Sequence, residues 1–117
     1  MARFIAILLA GLLTVSSGAL RAAPVHDFHA ALAEATQHYR FAGFYLHTGN
    51  PGVAAIELQS LQEKWREIAQ AYGTAPPDLY AKDGEWQVTI SGIGKRIDAA
   101  MTAADADELK KAESELK

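Results

Sequence analysis

Apolar side chains recur at helical spacing along most of this chain, and that period limits its fold more than any other feature. Three stripes alternate steps of four and three residues, from residue 28 to 46, from 54 to 72 and from 86 to 101. Residues three and four positions apart lie on one side of a helix, whereas a half-buried strand needs an apolar residue at every second position. No window sustains the strand pattern, so the sequence predicts an all-α fold with three long helices.

The residues between the stripes are typical of helix ends. Gly49 suits the left-handed position after a helix, Asn50 suits an N-cap and Pro51 suits a first helical turn. We therefore interpret residues 48–51 as a stop and restart between two helices, with a ligand-binding loop as the alternative. Gly73, followed by two prolines, is expected to end the second helix, and Asp83 to cap the third.

A fourth, shorter helix is predicted at the end of the sequence. Asp105 and Glu108 have the spacing of a capping box, which would start a helix of about 13 residues. Short connections favour antiparallel neighbours, so the expected architecture is an antiparallel up-down helical bundle of three long helices and a short fourth. The short fourth helix leaves three alternatives open: a bundle open at one end, completion by a second chain, or a truncated sequence.

The first 22 residues have the pattern of a secretory signal peptide. Arg3 precedes an apolar stretch at 4–15, and small residues follow at 16–19 and at 22–23. The stretch is shorter than the roughly 20 residues that cross a bilayer, which argues against a membrane anchor. Cleavage is expected after Ala19, Ala22 or Ala23. The predicted organisation is a signal peptide at 1–22, a single domain at 23–117 and a periplasmic location.

Composition excludes several classes of protein. The sequence contains no cysteine, so it has no lipobox, no disulfide and no covalently attached c-type haem. Loss of residues 1–22 would remove two of the 11 basic residues and none of the 14 acidic ones, leaving a net charge of −5. Such a charge argues against nucleic acid or an anionic membrane surface as a partner.

The mature chain resembles the periplasmic four-helix-bundle cytochromes of the c-prime and soluble b types. The likeness covers the signal peptide, the helix order, the proline-containing middle connection and the stretch "GEWQVTISGIGKRIDAAMTAADADELKKAESELK". It implies a periplasmic bundle with haem as cofactor. The c-type haem motif CxxCH is absent, however, and the methionine of helix one and the histidine of helix four in the b type have no counterpart here.

Several residues are candidates for binding. His26 and His29 are three positions apart, so both imidazoles lie on one side of a helix and could share a copper or zinc ion. The simpler interpretation is two solvated histidines at a helix start. His38 is expected at the boundary of the core, paired with Glu34. The candidate pocket residues for an aromatic or tetrapyrrole ligand, which are otherwise plain core, are Tyr39, Trp65, Tyr72 and Trp86.

A second apolar patch predicts a protein interface. Phe41, Phe44 and Tyr45 lie off the main stripe of helix one, and aromatic residues on two sides of a helix need two partners to cover them. We expect a homodimer through helix one, or a periplasmic protein partner. No nucleophile, base and acid occur in a catalytic pattern. The predicted function is a non-enzymatic binding or accessory module, the alternative being a haem- or copper-binding electron-transfer or metal-handling protein.

Overall fold

The computed structural model describes residues 24–117, and the predicted signal peptide and Ala23 lie outside this range. The described residues form four α-helices and one short 3-10 turn, with no strand among them. The helices are α1 (Pro24–His47), α2 (Pro51–Tyr72), α3 (Trp86–Asp105) and α4 (Leu109–Glu115), and the 3-10 turn at Asp78–Tyr80 lies between α2 and α3. The prediction of an all-α fold is confirmed.

The connection from α1 to α2 has the predicted cap structure. Gly49 adopts a φ of 73°, and the backbone N–H of Asn50 donates to the carbonyl of Tyr45 at 2.8 Å. The side chain of Asn50 accepts from the N–H of Val53, and Pro51 is the first residue of α2. The Thr48 hydroxyl donates to the carbonyl of Phe44 at 3.0 Å. These polar groups stabilise the helix ends, which favours the stop-and-restart interpretation of residues 48–51.

The boundary between α3 and α4 differs from its prediction. Asp105 is the last residue of α3 and caps nothing, and α4 has only seven residues. Asp107 adopts a φ of 59°, which aspartate tolerates better than most residues. The N–H of Asp107 bonds the Ala104 carbonyl, and that of Glu108 bonds Ala103, the pairing of a Schellman motif. A C-terminal cap therefore forms where the sequence predicts an N-terminal one.

The core consists of two clusters of different side-chain size. Towards α4, the small residues Ala42, Ala54, Ala100 and Ala112 bring the helices close together around Leu46 and Leu58. The other cluster contains the large buried side chains of the three long helices, namely Phe28, Leu61, Trp65, Ile68, Trp86, Ile90 and Ile97. The core thus contains mainly small residues near α4 and mainly large ones at the end away from α4.

Two tryptophans form hydrogen bonds between α2 and α3, because each indole N–H donates to a backbone carbonyl of the other helix. Trp65 of α2 donates from Nε1 to the carbonyl of Ile90 in α3 at 2.9 Å. Trp86 of α3 donates to the carbonyl of Tyr72 at 2.7 Å, one of the last carbonyls of α2, which have no partner within that helix. A Cβ on Gly94 would lie 3.3 Å from Cδ1 of Trp65, so the missing side chain gives the indole room to reach α3.

The two glycines inside α3 are expected to respond differently to alanine. Apart from its chain neighbours and the adjacent backbone of α3, no atom of the described residues would lie within 4 Å of a Cβ on Gly92, so Gly92→Ala should raise the free energy of unfolding by about 0.5–1 kcal/mol through helix propensity. Gly94→Ala gains the same helix propensity but crowds Trp65. We therefore expect its free energy of unfolding to be lower than that of Gly92→Ala by at least about 1 kcal/mol. Urea denaturation measures both. Equal effects would show that the contact with Trp65 imposes no cost.

A lysine joins α1 to α2 through carboxylates. The Nζ atom of Lys64 lies 2.8 Å from Glu34 and 3.0 Å from Glu67. The hydrogen bond from Lys64 holds the pKa of Glu34 below its ordinary value, and the bonds to Glu34 and Glu67 raise the pKa of Lys64. The contribution of Glu34 to stability is therefore present above its ordinary pKa and lost as pH falls through its folded value. That of Lys64 is lost only as pH rises through its own raised pKa.

Lys64→Met should accordingly lower the melting temperature at neutral pH and have less effect in acid. The difference from the wild type should shrink as pH falls from about 7 to about 2, because Glu34 becomes protonated in both proteins. Circular dichroism during heating measures this at each pH, with Lys95→Met as the control, since Lys95 forms no ion pair within residues 24–117. A difference that stays constant across the whole range would contradict a role for the pair.

Candidate functional site

An apolar groove of about 290 Å³ lies between the three long helices. One of its ends is formed by residues 115–117, where α4 stops. At seven residues, α4 extends only about 10 Å, against about 36 Å for α1, so within residues 24–117 most of the length of α1 has no fourth helix beside it. The apolar residues that line the groove are Leu32, Ala35, Leu61, Trp65, Ile93 and Ile97.

Trp65 forms a fixed wall of this groove. Only 6% of the residue is exposed, and its indole N–H is already bonded to Ile90. The ring lies beside Gly94, where a Cβ would come within 3.3 Å of its Cδ1 atom. A side chain held in this way loses little freedom when a ligand binds, which lowers the entropic cost of binding.

Tyr39 lies at the end of the groove near α4. It is 44% exposed, although its position in the stripe of α1 predicts a core residue. Among residues 24–117, α4 ends at Glu115 and does not cover the ring. Its hydroxyl donates to the carbonyl of Leu116 at 2.9 Å and so ties α1 to the residues after α4. The hydroxyl of Thr36, also in the lining, donates to Leu32 within α1.

Charged groups lie at the rim of the groove. Arg96 contributes to the lining from α3, and Glu115 and Lys117 contribute from the end of the chain. The ammonium of Lys117 lies 4.0 Å from Glu113. Within residues 24–117, the guanidinium of Arg96 forms no ion pair and no hydrogen bond. The groove thus combines apolar walls with an unpaired cation at its edge.

Two of the four candidate pocket residues, Tyr72 and Trp86, lie elsewhere. They pack with Phe28 and Tyr80 in an aromatic cluster next to the 3-10 turn. The ring centroid of Phe28 lies 5.3 Å from that of Tyr72 and 5.1 Å from that of Trp86, and Tyr80 stacks on Trp86 at 5.1 Å. These rings fill the space between the helices, so they contribute to packing, whereas Tyr39 and Trp65 line the groove.

The sequence pattern did not single out Arg96, Ile93 or Leu116 as lining residues. Ile93 belongs to the stripe of α3, yet it is 38% exposed because no fourth helix in the described part of the chain covers it. The available signal was the shortness of the predicted fourth helix. It indicated that some stripe residues would lack a neighbour, but not which ones.

The histidines proposed as metal ligands have other contacts. His29 shares a hydrogen bond of 2.8 Å between Nε2 and the hydroxyl of Tyr80. His26 is exposed, and its Nδ1 atom lies 3.8 Å from the carboxylate of Asp27. Nowhere in residues 24–117 do three or more histidine, cysteine, aspartate or glutamate side chains converge as a metal site would require. Copper or zinc binding at His26 and His29 stays a prediction.

The other two histidines link helices. His38 lies 2.7 Å from Glu57 of α2, and His47 lies 3.1 Å from Glu113 of α4. The predicted pairing of His38 with Glu34 is wrong. Glu34 instead bonds Lys64, and the Nδ1 atom of His38 reaches across to α2.

The proposed interface residues lie on the outside of α1. Phe41 and Phe44 are 44% and 59% exposed, and Tyr45 is half-buried. The rings of Phe44 and Tyr45 meet edge to face, with centroids 5.3 Å apart. Phe41 lines a depression together with Leu32 and Thr36, which also line the groove, so this aromatic surface adjoins the groove.

Comparisons of the chain with models of known protein families, with curated proteins and with solved structures found no match. Among the helices of residues 24–117, none has the length and the apolar character needed to cross a membrane. Proposals about function therefore rest on the geometry of the groove and of the α1 surface.

We expect the aromatic surface of α1 to pair with a second copy of the chain, since closed symmetric dimers are the commonest oligomers. Light scattering after size exclusion should then give twice the monomer mass at high concentration. Phe44→Ser should give the monomer, because it removes an exposed ring from the contact. Val88→Ser is the matched control, an exposed apolar residue on α3. A wild-type monomer at every concentration would contradict the dimer.

Proposed function

We propose that this protein is an exported, non-enzymatic binding module that holds a small apolar or amphipathic ligand in the groove beside Trp65 and Tyr39. The observation that carries the proposal is the groove itself. Its size is near the lower end of the range for ligand pockets, about 300–1,000 Å³, and its lining is mostly apolar with a few polar groups at the edge. The hydroxyl groups of Thr36 and Tyr39 in the lining already donate to backbone carbonyls, which favours a role in binding over one in catalysis.

The proposal includes an antiparallel up-down order of the helices, which the cross-helix contacts support. Glu34 of α1 contacts Lys64 of α2, and His38 of α1 contacts Glu57 of α2. The later residue of α1 therefore pairs with the earlier residue of α2, as in antiparallel helices. Residues 62 and 65 of α2 meet 98 and 90 of α3 in the same reversed order. Tyr39 of α1 contacts Leu116, just beyond α4, and His47 of α1 contacts Glu113 in α4, so this pair of segments is also antiparallel.

Export is proposed from the pattern of residues 1–22, and the architectural likeness to the periplasmic bundle cytochromes agrees with it. The likeness does not extend to a haem in the groove. None of the residues that line it is a histidine or a methionine, the usual axial ligands of a bundle haem. The residues present there do not fit the cofactor, so the proposed ligand is an organic molecule held by apolar contact.

Titration with a neutral apolar fluorophore, N-phenylnaphthylamine, tests the proposal. The chain is produced with its native first residues, recovered from the periplasm and sized by mass spectrometry, which should show loss of the signal peptide. We expect saturable fluorescence at one probe per chain. Ile93→Phe should fill the groove and weaken binding about tenfold or more, because it removes the space that the probe occupies.

Val88→Phe is the matched control, since it adds the same ring on an exposed position of α3 outside the lining. It should leave probe binding unchanged. Binding that does not saturate, or that Ile93→Phe leaves unchanged, would contradict the groove as the site. A parallel haem titration should give no saturable Soret band. A band at one haem per chain would favour the cytochrome alternative.

A further inference from the structure

We propose that the groove selects a single-chain carboxylate amphiphile, a fatty acid of medium chain length, with its carboxylate on Arg96. This inference rests on the proposed function and adds the class of ligand to it. The observation behind it is the placement of one unpaired guanidinium at the edge of an otherwise apolar groove.

The apolar part of the groove fits a single hydrocarbon chain. Leu32 and Ala35 form one side, Ile93 and Ile97 form the other, and Leu61 and Trp65 lie between them on α2. A volume of about 290 Å³ is small for a ligand pocket, which excludes a two-chain lipid as the fully enclosed ligand. The walls come from helices, so the groove follows their length and suits an extended chain.

Arg96 has the chemistry to recognise the head group. A guanidinium presents a planar set of N–H donors that matches the two oxygens of a carboxylate. Arg96 follows Ile93 by three positions on α3 and therefore lies on the same side of that helix. Its guanidinium forms no ion pair within residues 24–117, so an incoming carboxylate would displace no partner among them.

The other charges of the lining explain why Arg96 is preferred. Lys117 offers a second cation, but it already lies 4.0 Å from Glu113, and Glu115 next to the groove repels an anion at that end. A carboxylate is therefore expected on the α3 side of the groove, away from Glu115. This distribution also predicts that removing the charge of Glu115 strengthens binding.

Displacement of N-phenylnaphthylamine by decanoate, decanol and decylamine tests the proposal, because the three share a chain and differ in the charge of the head. We expect decanoate to bind about tenfold more tightly than decanol, from a charge-assisted bidentate contact, and decylamine to bind most weakly. Arg96→Gln should remove the advantage of decanoate over decanol. Glu115→Gln should increase the advantage of decanoate.

Lys95→Gln is the matched control, since it removes a neighbouring positive charge on α3 outside the lining. It should leave the preference for decanoate intact, and melting temperatures establish that each variant is folded. Equal binding of decanoate and decanol, or a preference that survives Arg96→Gln, would overturn this inference while the groove remains a binding site. Failure of all three compounds to displace a bound probe would also overturn it. Failure of the probe itself to bind would overturn the proposed function.

Discussion

The position of Trp65 is the constraint on which the rest of the molecule depends. Its ring lies in the large-residue cluster, its indole N–H donates to the carbonyl of Ile90, and it occupies space that a side chain on Gly94 would crowd. This one side chain joins α2 to α3 and also forms a wall of the groove. Because the indole N–H has a partner, the large ring is buried without an unsatisfied polar group.

The two core clusters explain why the groove lies where it does. Alanines let α1, α2, α3 and the short α4 meet closely at one end, where Ala112 is fully buried. Within residues 24–117, no fourth helix covers the parts of α1 and α3 that hold Tyr39 and Ile93, so both residues are partly exposed although their spacing is that of core residues. The same feature that leaves apolar surface uncovered makes room for a ligand, with Arg96 at its edge.

Local signals predicted local structure well. The cap at Asn50, the left-handed Gly49 and the start of α2 at Pro51 follow from the conformational preferences of those residues, and the structure has all three. Asp105 shows the limit of such signals, because aspartate serves at both ends of helices. The backbone bonds at Asp107 and Glu108 decided that α3 continues to residue 105.

The candidate site was only partly predictable. Tyr39, Trp65, Tyr72 and Trp86 share the same helical spacing, and spacing alone does not distinguish a ring that lines a groove from one packed among other rings. The pairing of His38 with Glu57 instead of Glu34 has a similar origin, since a partner on another helix depends on how two helices meet.

The sequence by itself determined the helices, most of their ends and which side of each helix is apolar, because these follow from side-chain periodicity and from backbone preferences within a few residues. Only the tertiary structure decided which apolar residues are covered. Covering depends on the length of α4 and on the relative positions of helices far apart in the chain, and it places Arg96 beside the groove.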